Sequence, residues 1–293
     1  MKHVDMRKIS SSTQFLGVAS DLIMEAHLLS KLEHHNIIKL LGMSGAPFSQ
    51  SFEDSEEGFF LLMDVMEETL MDRLQKWRND PTNFEKRNIC SKLSRKTKKL
   101  DLVRMYERVE TVALGMAQAM HYVHKRGILH RDLKPANVGF NKVTGDVCIF
   151  DFGMARELAD CRSDEICGTP RYLAPEVLRG EGYSFKSDVY SFGMLLHEVV
   201  SLQQQQRPKK LSLKSQSDVW SACSALARPS LDGIPCPIVS SLIQECLSDD
   251  PARRPTFDEI AANLRESSSS ISADINNKVH TESDSTLDTI LET

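Results

Sequence analysis

The sequence predicts an α+β fold in two parts, a small strand-rich N-terminal part and a larger helical one. Three observations lead there. Around one early helix, the first 66 positions hold short apolar runs bounded by turn residues, the pattern of strands. From residue 101 onward, long stretches carry apolar residues at helical spacing, and strands followed by helices is the α+β order. A chain of 293 residues has the length for about two domains of ~150 residues, enough to bury a large core.

Taken in order, Met1 to Ile9 alternates imperfectly and reads as a short strand, and Ser10 to Thr13 as a loop. A helix is expected from about Ser20, as N-cap, to Glu33, with Leu22, Ala26, Leu29 and Leu32 along one stripe. Glu25 lies beside Leu22 and Leu29 on that inward stripe, so it calls for a cationic partner. Ile37 to Leu41 reads as a strand, Gly42 to Gly58 as a polar, acidic loop, and Phe59 to Met63 as a second strand. Glu67 to Trp77 reads as a helix. Arg78 to Lys99 is a basic insertion (Lys86, Arg87, Lys92, Arg95, Lys96, Lys98, Lys99), the composition of solvated or disordered surface.

Asp101 to Lys125 predicts a long core helix through Leu102, Met105, Val109, Val112, Met116, Met120 and Val123, capped at Gly127. Val138 to Phe140 and Val147 to Phe150, joined by the turn residues Asn141 to Gly145, predict a β-hairpin. Met154 to Cys167 is a charged loop. Helices are expected within Tyr183 to Ser201 and over Ser217 to Ala227, Val239 to Leu247 and Phe257 to Leu264, with a low-complexity loop after Gln203.

Composition narrows the partners. With 26% charged residues and a net charge of −5, nothing calls for a nucleic-acid partner. Seven cysteines, an odd number without a CxxC pair, read as reduced thiols of a cytoplasmic protein, with the nucleus as the other compartment. No apolar run approaches the ~18 residues of a membrane span, no membrane attachment is evident, and MKHVDMRK is no signal peptide. A monomer is expected.

The chemistry concentrates in His130 to Phe140, HRDLKPANVGF, and in Asp151-Phe152-Gly153 just past the hairpin. One hairpin thus sets Asp132, Lys134 and Asn137 at its entrance and Asp151 at its exit. Such a set suits phosphoryl transfer, where catalysis is positioning plus charge neutralisation. Asp132 can accept the proton of an attacking hydroxyl, and Lys134 can meet the charge on the moving phosphoryl group. Asn137 and Asp151 offer the oxygen ligands that Mg²⁺ prefers.

These motifs, followed by GTPRYLAPE (168–176), DVYSFG (188–193) and DPARRPT around Arg254, resemble the eukaryotic protein-kinase family. Lys134 in HRDLKPAN and Thr169 in GTPRY resemble the serine/threonine type. DVYSFGMLLHEVV and CLSDDPARRPTF resemble its tyrosine-kinase-like branch. The resemblance implies a two-lobed fold, with a kinase domain over 1–264: an incomplete small lobe and hinge to 66, then a helical large lobe with the basic insertion at 78–99. Residues 265–293 would be a disordered, Ser-rich and acidic tail. It also implies an ATP- and Mg²⁺-dependent kinase acting on protein Ser or Thr hydroxyls, the alternative being a pseudokinase or scaffold that binds partners without turnover.

Residue by residue, Glu25 would pair with a strand lysine that holds the nucleotide's phosphates. Lys2 is the candidate and Lys8 its rival. Met63 would sit behind the adenine, and the backbone near Asp64 to Met66 would bond its edge. Asp188 would accept bonds from the catalytic-loop backbone, and Glu176 would pair with Arg254. No room for a Gly-rich phosphate loop precedes Lys2, so a fragment, or a protein without that lid, is expected. In this family the arginine before the catalytic aspartate commonly meets an activation-loop phosphate. Here alignment sets Glu165 at that position opposite Arg131, with Ser163 as the alternative, phosphorylated partner.

Overall fold

In the computed structural model, residues 1–3, 11–44, 60–80, 95–162, 165–203 and 228–267 are described. The expected helix at Ser217–Ala227, most of the basic insertion (81–94), most of the acidic loop, Lys8, Ser163 and the tail beyond 267 lie outside them. The fold is the α+β arrangement expected. A small antiparallel sheet has the order β1-β3-β2, from β1 (Lys2–His3), β2 (Leu40–Met43) and β3 (Phe60–Met63), with Lys2 opposite Leu61 and Leu40 opposite Met63. A second antiparallel sheet joins β4 (Met66–Thr69), β6 (Val138–Asn141) and β7 (Val147–Ile149) in the order β4-β6-β7. The predicted hairpin is there, with Val138 facing Ile149.

The first helix, α1 (Ser12–Leu29), starts earlier than Ser20. Ser11 is the cap: its backbone is extended and its Oγ accepts the Gln14 N–H at 3.2 Å. Phe15 and Ala19 continue the inward stripe of Leu22, Ala26 and Leu29, so burial carries the helix through the exposed Gly17, whose helical penalty is only ~1 kcal/mol. It stops at Leu29 rather than Glu33. The second helix, α2 (Leu70–Asn79), likewise begins after the residue expected, because Glu67 and Glu68 belong to β4 and Thr69 forms a reciprocal capping box with Asp72. The insertion is partly helical: its first two residues end α2, and its last five open α3 (Arg95–Arg108).

The long core helix is one continuous rod with a wider turn in it. Helix α3 passes through a π-helical turn (Val109–Ala113) into α4 (Leu114–Lys125). Its stripe of Met105, Val109, Val112, Met116, Met120 and Val123 is at most 1% exposed. Each such side chain contributes roughly 1.5–3 kcal/mol. Gly115 is required where α4 meets β7, since a Cβ there would stand 2.5 Å from Val147 Cγ1 and 3.0 Å from Asn36 Nδ2. Asn36 in turn donates its amide to Val147 O (2.7 Å) and accepts the Ile149 N–H at its own carbonyl (2.8 Å). The stretch after α1 is thereby pinned to the hairpin that carries the chemistry.

The larger part is completed by the short α5 (Pro175–Leu178), α6 (Phe185–Ser201), α7 (Pro237–Cys246) and α8 (257–267). Helix α6 is buried on all sides from Ser187 to Val200, as befits the centre of a helical core. Helix α8 runs three residues past the expected domain end at 264, and Ser267 is fully buried, so the tail cannot begin at 265. Among the described residues no helix is long and apolar enough to cross a membrane.

Candidate active site

The catalytic-loop backbone is held from behind by a buried carboxylate. Asp188, in the first turn of α6, accepts the N–H groups of His130 and Arg131 at 2.9 Å each and the Nε2–H of His124 at 2.9 Å. Burial raises its pKa, but these donors outweigh burial and hold it below the usual carboxylate range. The loop follows β5 (Ile128–Leu129), which pairs with β8 (Arg156–Glu157). With its N–H drawn to Asp188, Arg131 takes φ 64°, a left-handed conformation that a non-glycine residue adopts only under constraint.

Three of the predicted groups, Asp132, Lys134 and Asn137, meet here, joined by Thr169. Lys134 Nζ donates to Asp132 Oδ2 (2.5 Å), and Asn137 Nδ2 donates to Asp132 O (2.9 Å) and Oδ2 (3.1 Å). The hydroxyl of Thr169 donates to Asp132 Oδ1 (2.7 Å) and accepts from Lys134 (3.0 Å). A hydroxyl is thus held between a carboxylate able to take its proton and an ammonium able to neutralise charge on its oxygen. The sequence had given Thr169 no place in the site; only the turn of the chain after Gly168 brings it there.

The second group spans the two parts of the fold. Lys2 Nζ lies 2.5 Å from Glu25 Oε2 and 2.6 Å from Asp151 Oδ1. Glu25 is 1% exposed, and its other oxygen accepts the Phe152 N–H at 3.2 Å. Burial pulls the Lys2 pKa down, yet the Glu25 and Asp151 carboxylates outweigh it and leave the ammonium raised. Burial likewise raises Asp151, and Lys2 overcomes it to hold that carboxyl low. Asp151, like Arg131, has a left-handed backbone, φ 63°. So three residues far apart in sequence share one charge cluster.

Met63 and Met66 are half-buried and packed against the core, and Asp64 connects β3 to β4. Part of this connection is already bonded: the Asp64 N–H goes to Lys39 O (3.2 Å), and Val65 O accepts the Lys142 N–H (2.9 Å). Any ligand edge must use the remaining backbone groups.

The segment between Asp151 and Glu176 is tied down at several points. Arg156 reaches Asp21 of α1 (3.2 Å), and Lys31 reaches Glu157 (3.4 Å). Arg131 donates to Met154 O (2.7 Å) and to Glu165 Oε2 (2.8 Å). The Tyr183 hydroxyl donates to Cys167 O (2.5 Å) and accepts the Cys167 N–H (3.0 Å). Beyond the segment, Glu176 and Arg254 form the expected pair. The Asp21, Lys31 and Tyr183 contacts were not legible in the sequence, where each is an ordinary surface residue type.

The donor set fits a divalent cation held jointly with phosphates. No cluster of three or more His, Cys, Asp or Glu side chains able to hold a metal occurs among the described residues. Mg²⁺, however, takes one or two protein oxygens and completes its shell with phosphates and water. Asn137 spends its amide nitrogen on Asp132, which leaves its oxygen as the donor to a cation, and Asp151 brings a half-exposed carboxylate.

The family model of the protein kinase domain matches residues 1–264. A probable serine/threonine-protein kinase of Dictyostelium discoideum is 29% identical over 262 residues, covering 88% of this chain and 14% of the relative. A serine/threonine/tyrosine-protein kinase of Arabidopsis thaliana is 34% identical over 162 residues, 54% of this chain and 40% of the relative. A probable serine/threonine-protein kinase of Streptomyces coelicolor is 41% identical over 101 residues, 33% of this chain and 15% of the relative. The chain thus spans less than half the length of each. The family match over 1–264, together with the α+β fold, shows that the chain belongs to the protein kinase domain family.

Proposed function

We propose that the chain is an ATP-dependent serine/threonine protein kinase, transferring the γ-phosphoryl group of ATP to a Ser or Thr hydroxyl of a protein substrate. The observation that carries the reading is the Thr169 hydroxyl held between Asp132 and Lys134, the environment an acceptor hydroxyl needs. When bound, Mg²⁺-ATP supplies the phosphoryl group and the cationic charge that neutralises it. Asp132 accepts the acceptor's proton as general base. Lys134 would neutralise charge on the attacked phosphoryl group. The Asn137 amide oxygen and the Asp151 carboxylate would hold the cation. Lys2, oriented by Glu25, would meet the nucleotide phosphates, and Met63 with the unbonded backbone groups of Asp64 to Met66 would take the adenine.

We take 1–264, with α8 running on to 267, as the catalytic unit. DVYSFGMLLHEVV and CLSDDPARRPTF support assignment to the tyrosine-kinase-like branch. The odd, CxxC-free cysteine set supports a reducing compartment, the cytoplasm or nucleus.

The test is transfer of radiolabelled γ-phosphate by the full-length protein to arrays of Ser-, Thr- and Tyr-containing peptides. Label on Ser and Thr is expected. Label on Tyr alone would overturn the substrate class. Tight Mg²⁺-ATP binding with no transfer to any peptide would favour a scaffold instead.

A further inference from the structure

Arg131 presents a problem of buried charge. Its side chain is 1% exposed, next to Asp132, and a guanidinium cannot discharge itself by losing a proton. Such a group needs an anion as well as hydrogen bonds. Met154 O takes one N–H, and the carboxylate of Glu165, 2.8 Å away, supplies the charge. Burial pulls the Arg131 pKa down, yet the bond to Glu165 and the surrounding charges outweigh it and leave it raised.

Glu165 is also well placed to act on the chain that follows it. Three residues on, Gly168 (φ 95°) runs so close to the Arg131 carbonyl that a Cβ would collide with it. One residue further, Thr169 is bonded to Asp132 and Lys134. Between Glu165 and Gly168, the Cys167 backbone is held by the Tyr183 hydroxyl. The stretch 165–169 therefore crosses the catalytic loop fastened to Arg131 at one end and to Asp132 at the other.

We propose that Glu165 is a built-in anionic positioning residue, ordering the segment over Asp132 by neutralising Arg131 without phosphorylation. The inference rests on the kinase reading for its effect on turnover, but the pair itself does not depend on it. A carboxylate already in place leaves Arg131 no unpaired charge with which to recruit a phosphate. Glu165 is 39% exposed, so solvent screens the pair and the expected effect is moderate.

The experiment uses the full-length protein, untreated or phosphatase-treated, as wild type, Glu165→Gln, Glu165→Asp and Ser163→Ala, with peptide phosphorylation and amide hydrogen exchange as readouts. Phosphatase-treated wild type and Ser163→Ala should keep kcat within about twofold. Glu165→Gln should lower kcat about tenfold, the equivalent of ~1.4 kcal/mol, with KM for ATP little changed. Its amides at 165–171 should exchange faster while those of α6 do not, and Glu165→Asp should recover part of both effects. Loss of activity on dephosphorylation, or unchanged exchange and kcat in Glu165→Gln, would overturn the proposal. If untreated wild type transfers no phosphate, the kinase reading fails and exchange at 165–171 alone judges the pair. Should Glu165→Gln not fold, wild-type exchange at low and high salt decides the matter: faster exchange at 165–171 in high salt supports the pair, and no change rejects it.

Discussion

The guanidinium of Arg254 meets the carboxylate of Glu176 through two parallel bonds, NH1 to Oε1 at 2.7 Å and NH2 to Oε2 at 2.8 Å. The residues are 78 positions apart, and their side chains are 0% and 6% exposed. Ser187 donates to the same Oε1 (3.0 Å), and Arg254 also bonds Ser248 O and Lys186 O. The pair thus joins the end of the segment over the catalytic loop to the first turn of α6 and the approach to α8.

Removing one partner would leave the other buried and unpaired, which costs about 3–5 kcal/mol. Arg254→Met should therefore lower Tm by ~10 °C in a domain of this size. Arg254→Lys should recover little, because an ammonium cannot reproduce the two-pronged contact. Differential scanning calorimetry of the two variants checks both statements, and a drop below ~2 °C for Arg254→Met would contradict the first.

Asp132→Asn keeps the shape of the site and removes the proposed proton acceptor. Phosphoryl transfer should fall by roughly 10²–10⁴-fold, the usual contribution of a general base, while Mg²⁺-ATP affinity stays within a few-fold. Transfer kinetics and calorimetric titration measure the two halves separately. Asp151→Asn should weaken nucleotide binding as well, since it would alter the proposed cation ligand and release Lys2.

Glu25→Gln tests the bridge between α1 and the site. It removes the charge that orients Lys2, with a loss of ~1.5–3 kcal/mol for a charge-assisted bond, or about 10- to 100-fold in kcat/KM for ATP. The expected result is a fall in kcat/KM with Tm maintained or raised. Stability should not suffer because burial already raises the Glu25 pKa against the pull of Lys2, and a neutral amide is less penalised in that place.

His34 predicts a pH effect on stability. Its Nδ1 accepts the Asn36 N–H at 3.0 Å, and its ring stacks on His35 and lies against Tyr122. Burial, then the charges of His35 and Arg126, hold its pKa down at about 4 from an ordinary 6.5. Between those values the unfolded chain binds the proton and the folded chain does not. The contribution is fully present above pH 6.5 and is lost as pH falls toward 4. Melting curves from pH 7 to 5 should drop more steeply for wild type than for His34→Asn, which keeps an acceptor for Asn36 but cannot titrate. Parallel curves would reject the assignment.

The sequence by itself determined the fold class, the hairpin, the long core helix and the family, because periodicity, turn residues and short ordered motifs are local signals. An acid on an apolar stripe called for a cation near Glu25, and the resemblance to the family implied Lys2, with Lys8 as its rival. The errors were local too. Ser20 looks like a cap only until the burial of Phe15 and Ala19 carries the helix back to Ser11, and Glu67 looks helical until the pairing of its neighbours Met66 and Glu68 with β6 draws it into a strand. Only the tertiary structure decided what depends on separate segments meeting. It set the Thr169 hydroxyl between Asp132 and Lys134, tied Arg156 to Asp21, and filled the pocket of Arg131 with Glu165, which the sequence left open against Ser163. The physical reason is that a charge or a hydroxyl carries no mark of its partner along the chain. The partner is fixed by burial, when desolvation makes every unpaired polar group costly and only the groups within about 3 Å can satisfy it.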